Sequence, residues 1–176
     1  MQYETVIAGF GGQGVLFTGK VLVYSGLYEG KDVTCFPSYG PEMRGGTANC
    51  TAIVSDEEIG SPQVLNPTTV IVMNQPSLDK YENLVAENGY LVINTSLVNR
   101  KAKRDDIHVI EIPGTELAEE IGNPRLANCI MLGALAAKVD FLELSSLEKG
   151  VEKSLSKGKK DLLELNISAL HRGFNY

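Results

Sequence analysis

The sequence predicts an α/β domain in three layers, with a mostly parallel sheet and a helical C-terminal third. Two observations indicate this fold. Short apolar runs alternate with helical patterns through the first two thirds of the chain, which is the order of a parallel sheet. Beyond residue 123, apolar residues recur at helical spacing. The chain has 176 residues, the length of one domain, and we assign residues 1–176 to it.

The N-terminal part is predicted to contain three strands and one helix. Residues 3–8 form an apolar run typical of a buried strand, and residues 15–29 have helical spacing. A second strand at 33–36 is stopped by Pro37, and the three elements together are expected to form a βαβ unit. Residues 47–55 alternate and follow a loop without a helix, so we expect this strand to be antiparallel to its neighbours.

The middle of the chain continues the alternation of strand and helix. Apolar runs predict strands at 69–73, 90–94 and 107–112. Between the first two, Ser77 is the expected N-cap of a helix that extends to about Asn88.

The C-terminal third is predicted to be three helices. Asn123, followed by a proline, caps the first helix, which covers 125–139 and is apolar almost all round. Such a helix is buried in the core or against a partner chain. Ser145 and Glu148 match a capping box at the start of the second helix, and the last helix covers 161–171.

Composition excludes several classes of protein. Acidic residues outnumber basic ones 22 to 16, so the basic surplus of a nucleic-acid binder is missing. Cys35, Cys50 and Cys129 are too few for a typical zinc or iron–sulfur site, and so sparse a count is typical of a reducing cytoplasm. No apolar run reaches the ~18–20 residues of a membrane span. We expect a cytoplasmic protein without a metal, nucleic-acid or membrane site.

A glycine-rich turn lies between the first strand and the first helix. Gly9, Gly11 and Gly14 have the spacing of the dinucleotide-binding fingerprint. That fingerprint also needs an acid at the end of the second strand, whereas the nearby acid here, Asp32, lies at its beginning. We therefore do not expect NAD or FAD. A tight turn without a ligand, a site for another anion and a partner surface remain open.

A second motif, S-Y-G-P-E-M-R-G-G at 38–46, follows the second strand. Together with G-F-G-G-Q-G at 9–14, it resembles the gamma subunit of 2-oxoacid:ferredoxin oxidoreductases. The resemblance extends over most of the chain, including the helix after Asn123 and the terminal helix. It implies a Rossmann-like α/β domain. The glycine turn alone is a weak signal, whereas the two motifs together are specific.

The resemblance implies a function. Enzymes of this family oxidatively decarboxylate a 2-oxoacid to an acyl-coenzyme A and pass electrons to ferredoxin. Thiamine diphosphate, Mg and iron–sulfur clusters are then expected on partner subunits, with none in this chain, and coenzyme A is a co-substrate. This chain would be inactive alone. Its expected partners are the alpha and beta subunits, and ferredoxin through the complex. A delta subunit, and a homodimer of the isolated chain, are left open.

The substrate is expected to be 2-oxoglutarate, ahead of branched-chain oxoacids and pyruvate. Two alternatives remain. One is a non-catalytic nucleotide or small-molecule binding module. The other is the small subunit of an indolepyruvate-type oxidoreductase, which has the same domain and a different substrate.

The two motifs supply the candidate site residues, and no catalytic residue is assigned. Gln13 has an amide that can donate and accept, and Arg44 can bind a carboxylate or phosphate through two hydrogen bonds. Asn128, in the apolar helix, needs hydrogen-bond partners. The predicted cofactor-binding or subunit-interface residues are Gly11, Gly12, Gln13, Gly14, Ser38, Tyr39, Gly40, Pro41, Glu42, Arg44, Gly45 and Gly46.

Other polar residues are given ordinary roles. Lys101, Lys103 and Arg104 are expected to form a solvated loop, with a coenzyme A or ferredoxin contact as the alternative. His108 and His171 have no partner nearby in the sequence and are expected to be structural or exposed.

Overall fold

A computed structural model describes residues 1–39, 47–155 and 160–176. They form a six-stranded sheet with helices on both faces, so the predicted three-layer α/β fold is confirmed. The predictions for residues 40–46 lie outside the described residues. Within these ranges, no helix is long and apolar enough to cross a membrane.

The elements follow one another in the predicted α/β order. The strands are β1 (Gln2–Phe10), β2 (Asp32–Tyr39), β3 (Thr47–Ser55), β4 (Thr69–Val72), β5 (Tyr90–Asn94) and β6 (His108–Ile112). The helices are α1 (Val15–Tyr28), α2 (Gln75–Tyr81), α3 (Gly114–Glu120), α4 (Ala127–Ala136), α5 (Leu144–Ser154) and α6 (Lys160–Phe174). Short 3₁₀ turns lie at Glu82–Leu84 and Pro124–Leu126.

The sheet has the order β2-β3-β1-β4-β5-β6. Strands β1, β4, β5 and β6 are parallel, and β3 is antiparallel to β1 and β2 on either side, as predicted. The first two strands do run in the same direction, but β3 lies between them. The two strands of the expected βαβ unit are therefore not adjacent, because β3, which follows both of them in the chain, is inserted between them.

Strand β2 does not stop at Pro37, as predicted, but continues to Tyr39. Pro37 is paired opposite Cys50 of β3, and β3 is the one neighbour of β2 in the described part of the sheet. A proline lacks the N–H that an inner strand needs, whereas an edge strand tolerates it.

The predicted cap of α2 was also wrong. The N-cap is Asn74, whose side-chain oxygen accepts a hydrogen bond from the Ser77 N–H at 3.0 Å. The helix therefore begins earlier than expected, with Pro76 in its first turn, and it ends at Tyr81 rather than near Asn88.

The capping box at α5 is absent. The helix begins at Leu144, its N-cap is Glu143, and no side chain caps it. Glu148 instead lies 2.5 Å from the Nε2 atom of His171 on α6. The Glu148 carboxylate thus binds a residue of another helix instead of the backbone at the start of α5.

The remaining helices differ less from prediction. The Asn123 cap is confirmed, since its side chain accepts from the Arg125 N–H at 3.1 Å. The apolar helix is shorter than predicted, with a 3₁₀ turn before α4. The seven-residue helix α3 was not predicted, because its first turn has no side-chain cap.

Two cores lie on the two faces of the sheet. The larger core packs between the sheet and α1, α4, α5 and α6, and the smaller one lies under α2. Helices α4 and α6 cross closely at two glycines. A Cβ at Gly133 would overlap the Leu170 carbonyl oxygen, and one at Gly173 would overlap the Ile130 carbonyl oxygen. Only glycine permits this approach of the two backbones.

Candidate functional site at the carboxyl edge of the sheet

The glycine-rich turn connects the end of β1 to the first turn of α1. Gly12 and Gly14 have φ angles of 96° and 80°, a left-handed conformation that favours glycine. Gly14 is the N-cap of α1 and has no side chain to cap it. The backbone N–H groups of this helix start are therefore not occupied by a capping side chain, and such groups favour an anion.

Gln13 holds this turn in place. Its Oε1 atom accepts hydrogen bonds from the Phe10 N–H at 2.6 Å and from Asn74 Nδ2 at 3.0 Å. Its Nε2 atom donates to the Met73 carbonyl at 3.4 Å. The amide of Gln13 thus both donates and accepts, and its partners are the turn itself and the end of β4.

Two asparagines extend this network across the sheet. Asn74 and Asn94 are each almost fully buried at the carboxyl ends of β4 and β5. Asn94 donates to Thr115 Oγ1 at 2.9 Å and accepts from the Thr115 N–H at 3.3 Å. Amide side chains thus link the glycine turn, two strands and α3. Sequence reasoning missed these residues, although each asparagine directly follows a buried apolar run.

Two pockets open beside the turn. One, of about 210 Å³, is lined by Gln13, Asn94, Thr115 and Arg125, among others. The other, of about 270 Å³, is lined by residues that include Gly14, Phe17, Asn128, Asn166 and Arg125. Both pockets also include Gly12. We call this region the carboxyl-edge site: residues 11–14 with Asn74, Asn94, Thr115, Arg125 and Asn128.

Arg125 gives the carboxyl-edge site a positive charge. Its side chain lies on the wall of both pockets and is exposed. Within the described residues, no acid forms an ion pair with it. A guanidinium beside the amino end of a helix is suited to a phosphate or carboxylate.

Asn128 is buried, and one of the two polar atoms of its side chain forms a hydrogen bond. Its Nδ2 atom donates to the Gly14 carbonyl at 3.4 Å, whereas its Oδ1 atom has no hydrogen-bond partner among the described residues. A Cβ at Gly14 would overlap this amide, so the glycine turn and α4 fit closely together.

The strands on either side of the second motif meet at the same edge of the sheet. Phe10, at the end of β1, is paired with Thr47, and Tyr39 is paired with Ala48. Both ends of the segment that joins β2 to β3 therefore lie beside the glycine turn. Ser38 is exposed there. The predicted site residues Gly40, Pro41, Glu42, Arg44, Gly45 and Gly46 lie outside the described residues, and so does the side chain of Tyr39.

The basic loop is not simply solvated. Buried Glu82 accepts hydrogen bonds from the N–H groups of Lys103 and Arg104 and pairs with Arg100 at 2.8 Å. Burial raises the pKa of Glu82, but these hydrogen bonds and the Arg100 charge outweigh burial and lower it overall. The side chains of Lys101 and Lys103 are exposed, as expected, whereas that of Arg104 is partly buried.

The two histidines lie apart from the carboxyl-edge site. His108 is exposed on β6, with its ring centroid 4.9 Å from that of Tyr90. It lines a pocket of about 690 Å³ at the free edge of β6. No described residue of either motif lines that pocket, so we do not place the candidate site there.

Metal ligands are not assembled in the part of the chain that the structure describes. No group of three or more histidine, cysteine, aspartate or glutamate side chains there could hold an ion. Cys129 lies in α4, away from the other two cysteines, and its S–H donates to Asn166 at 3.1 Å. The predictions about cofactors on partner subunits are not tested by this geometry.

Comparison with known proteins supplies the family. Residues 4–176 match the pyruvate ferredoxin/flavodoxin oxidoreductase family. Ketoisovalerate oxidoreductase subunit VorA of Methanothermobacter marburgensis is 37% identical over 171 residues, which are 97% of this chain. The chain spans only 35% of that relative's length.

Two further proteins match along nearly their whole length. 2-Oxoglutarate synthase subunit KorC of Methanocaldococcus jannaschii is 36% identical over 177 residues, covering 99% of this chain and 93% of that one. The crystal structure of a keto/oxoacid ferredoxin oxidoreductase gamma subunit from Geobacter sulfurreducens has a TM-score of 0.84 at 28% identity, over 98% of this chain and 96% of its own. The family expected from the two motifs is thus confirmed, and the chain belongs to the pyruvate ferredoxin/flavodoxin oxidoreductase family as a gamma-type subunit.

Proposed function

We propose that this chain is the gamma subunit of a complex that oxidatively decarboxylates 2-oxoglutarate, joins the acyl group to coenzyme A and passes the electrons to ferredoxin. The observation that carries the proposal is the match, along almost the full length of both chains, to a separate 2-oxoglutarate synthase subunit. Three other subunits of that name, from two Methanothermobacter species and Archaeoglobus fulgidus, are 33–36% identical. The partners are then an alpha and a beta subunit.

The chemistry of the carboxyl-edge site supports a binding role within that complex. Its side chains are amides, a hydroxyl and a guanidinium, which bind and orient a ligand but do not carry electrons. Coenzyme A and thiamine diphosphate share one feature, a diphosphate. We infer that Arg125 and the N–H groups of the glycine turn hold an anionic group of this kind, supplied by the rest of the complex. A carboxylate of a neighbouring subunit is the alternative.

Purification of the tagged chain from its own cells without oxygen tests the assembly. We expect subunits of the thiamine-dependent type to co-purify, and we expect reduction of ferredoxin only in their presence. The isolated chain should be inactive with every 2-oxoacid. Recovery of the chain without any such subunit would contradict the proposal.

Comparison of three substrates tests whether 2-oxoglutarate is the preferred one. The purified complex is assayed with 2-oxoglutarate, 2-oxoisovalerate and pyruvate, each with coenzyme A and ferredoxin. We expect the highest kcat/KM for 2-oxoglutarate. A higher value for either of the other acids would leave the assembly intact as a proposal and would refute the substrate.

Substitution of Arg125 tests the binding role. Arg125→Ala should raise the KM for coenzyme A or lower kcat by about tenfold, because a hydrogen bond to a charged group contributes ~1.5–3 kcal/mol. Arg172→Ala is the matched control, since Arg172 is half exposed and pairs with Glu120 outside both pockets. Equal kinetics for the two variants would show that Arg125 binds no anion during turnover.

A further inference from the structure

Two cysteines from neighbouring strands meet beneath α1. The Sγ atoms of Cys35 and Cys50 are 3.1 Å apart, and both thiols are free. In the antiparallel pair, Cys35 is opposite Ala52 and Cys50 is opposite Pro37, so the two cysteines are diagonal neighbours. Their contact is therefore built into the register of the hairpin, although they are 15 residues apart in the sequence.

The surrounding residues hold the two sulfur atoms together but bury the two cysteines to different extents. A Cβ at Gly19 of α1 would overlap Cys50 Sγ and would lie 3.4 Å from Cys35 Sγ, so the helix backbone lies directly over the pair. Cys50 is fully buried, whereas Cys35 is only partly buried. A small reagent from solvent therefore reaches Cys35 first.

We propose that Cys35 and Cys50 form a reversible dithiol–disulfide pair, which is oxidised by low-molecular-weight disulfides such as oxidised glutathione and reduced by the corresponding thiols. The pair is separate from the carboxyl-edge site, and the inference does not depend on the proposed enzymatic function. It assigns a modification site to the hairpin that carries the second motif.

The electrostatics of the pair favour Cys35 as the attacking sulfur. The S–H of Cys50 donates to Cys35 and, together with the nearby ammonium group of Lys20, lowers the pKa of Cys35 to about 7 against the effect of burial. The same hydrogen bond and burial raise the pKa of Cys50. Near neutral pH, a large fraction of Cys35 is then thiolate while Cys50 keeps its proton.

The reaction balances in two exchanges. The Cys35 thiolate attacks one sulfur of the small disulfide, whose S–S bond breaks to release one thiolate and leave a mixed disulfide on Cys35. The Cys50 sulfur then attacks Cys35 Sγ and releases the second small thiol, which takes the Cys50 proton. The two cysteines have lost two electrons, and one small disulfide has gained them.

The strand arrangement permits the closure. The sulfur atoms must approach from 3.1 Å to the ~2.05 Å of a disulfide bond. Among the described residues, strand β2 is at the edge of the sheet and is paired with β3 alone, so it can shift without breaking a second ladder. The bond would enclose residues 36–49 in a covalent ring, which includes the second motif.

Cys129 provides an internal control. It is fully buried in α4, and burial raises its pKa to about 12. It should stay reduced under conditions that oxidise the other two cysteines.

Thiol counting on the full chain tests the pair. The protein is equilibrated with mixtures of oxidised and reduced glutathione, quenched in acid, unfolded and labelled with a maleimide mass tag. We expect two of the three thiols to disappear together, the intact mass to fall by two hydrogen atoms, and peptides containing Cys35 and Cys50 to be linked. Dithiothreitol should restore all three thiols. A stable glutathione adduct on Cys35, or three free thiols throughout, would overturn the proposal.

Single variants give a second measurement. Cys50→Ala should trap the glutathione adduct on Cys35 and raise the pH midpoint of Cys35 alkylation, because the S–H donor is lost. Cys129→Ala, the matched control, should form the link like the parent. Circular dichroism confirms that each variant is folded. An unchanged alkylation midpoint in Cys50→Ala would refute the contact itself.

Discussion

Gln13→Ala should destabilise the protein, because one side chain joins the glycine turn to the end of β4. The substitution removes three hydrogen bonds, to the Phe10 N–H at 2.6 Å, Asn74 Nδ2 at 3.0 Å and the Met73 carbonyl at 3.4 Å. Each is worth about 0.5–1.5 kcal/mol net. The last is long and counts at the low end, and water can replace the exposed one at Phe10.

The expected loss is therefore about 2 kcal/mol of unfolding free energy, most of it from Asn74, whose buried amide loses a partner. For a domain of this size, such a loss lowers Tm by roughly 4–8 °C. Urea unfolding followed by circular dichroism measures it.

A matched control shows whether the destabilisation comes from this hydrogen-bond network or from the loss of any glutamine side chain. Gln63 is exposed, and its side chain makes no hydrogen bond within the described residues, so Gln63→Ala should stay within about 0.5 kcal/mol of the parent. If Gln13→Ala matched Gln63→Ala, the network would contribute nothing and the reasoning would fail.

Three further predictions follow from other parts of the molecule. Gly173→Ala should lower stability by about 1–3 kcal/mol, because the new Cβ overlaps the Ile130 carbonyl oxygen and forces α4 and α6 apart, whereas exposed Ser168→Ala should be near neutral in the same thermal unfolding assay. Glu82→Gln should cost about 1–3 kcal/mol near pH 7. The folded-state pKa of Glu82 is below 4.5, so the stabilisation by its carboxylate is present above pH 4.5 and is lost as the pH falls through the folded-state pKa. The free energy of unfolding should therefore depend less on pH in this acidic range in Glu82→Gln than in the parent. Arg44→Ala should leave the circular dichroism of the isolated chain unchanged and lower 2-oxoacid-dependent ferredoxin reduction by the complex by ~10-fold or more; wild-type turnover and subunit retention would show that residues 38–46 bind nothing essential.

Local signals predicted the elements whose cause is local. The glycine turn lies between strand and helix because Gly12 and Gly14 permit the left-handed backbone that the connection needs. The Asn123 cap was predicted for the same kind of reason, since its oxygen reaches a backbone N–H two residues away. The alternation of residues 47–55 predicted a strand, and the lack of a predicted helix before it predicted the antiparallel direction.

Local signals failed where a distant residue competed for the same group. Glu148 fits a capping box in sequence, but His171 on α6 binds its carboxylate instead. Pro37 was expected to end a strand, yet the position of β2 at the sheet edge makes its missing N–H harmless.

The fold class could be predicted from the sequence because the periodicity of apolar residues and the glycine positions are local properties of the chain. The family followed from the resemblance that the two motifs carry. The neighbours of the glycine turn, by contrast, depend on the tertiary structure. Asn74, Asn94 and Arg125 join the glycine turn because parallel strands bring their carboxyl ends to one edge. The insertion of β3 between β1 and β2 placed Cys50 against Cys35. It also placed Thr47, which follows the second motif, opposite Phe10 of the first. Strand order is set by the burial of the whole sheet, so no single segment of the sequence encodes it.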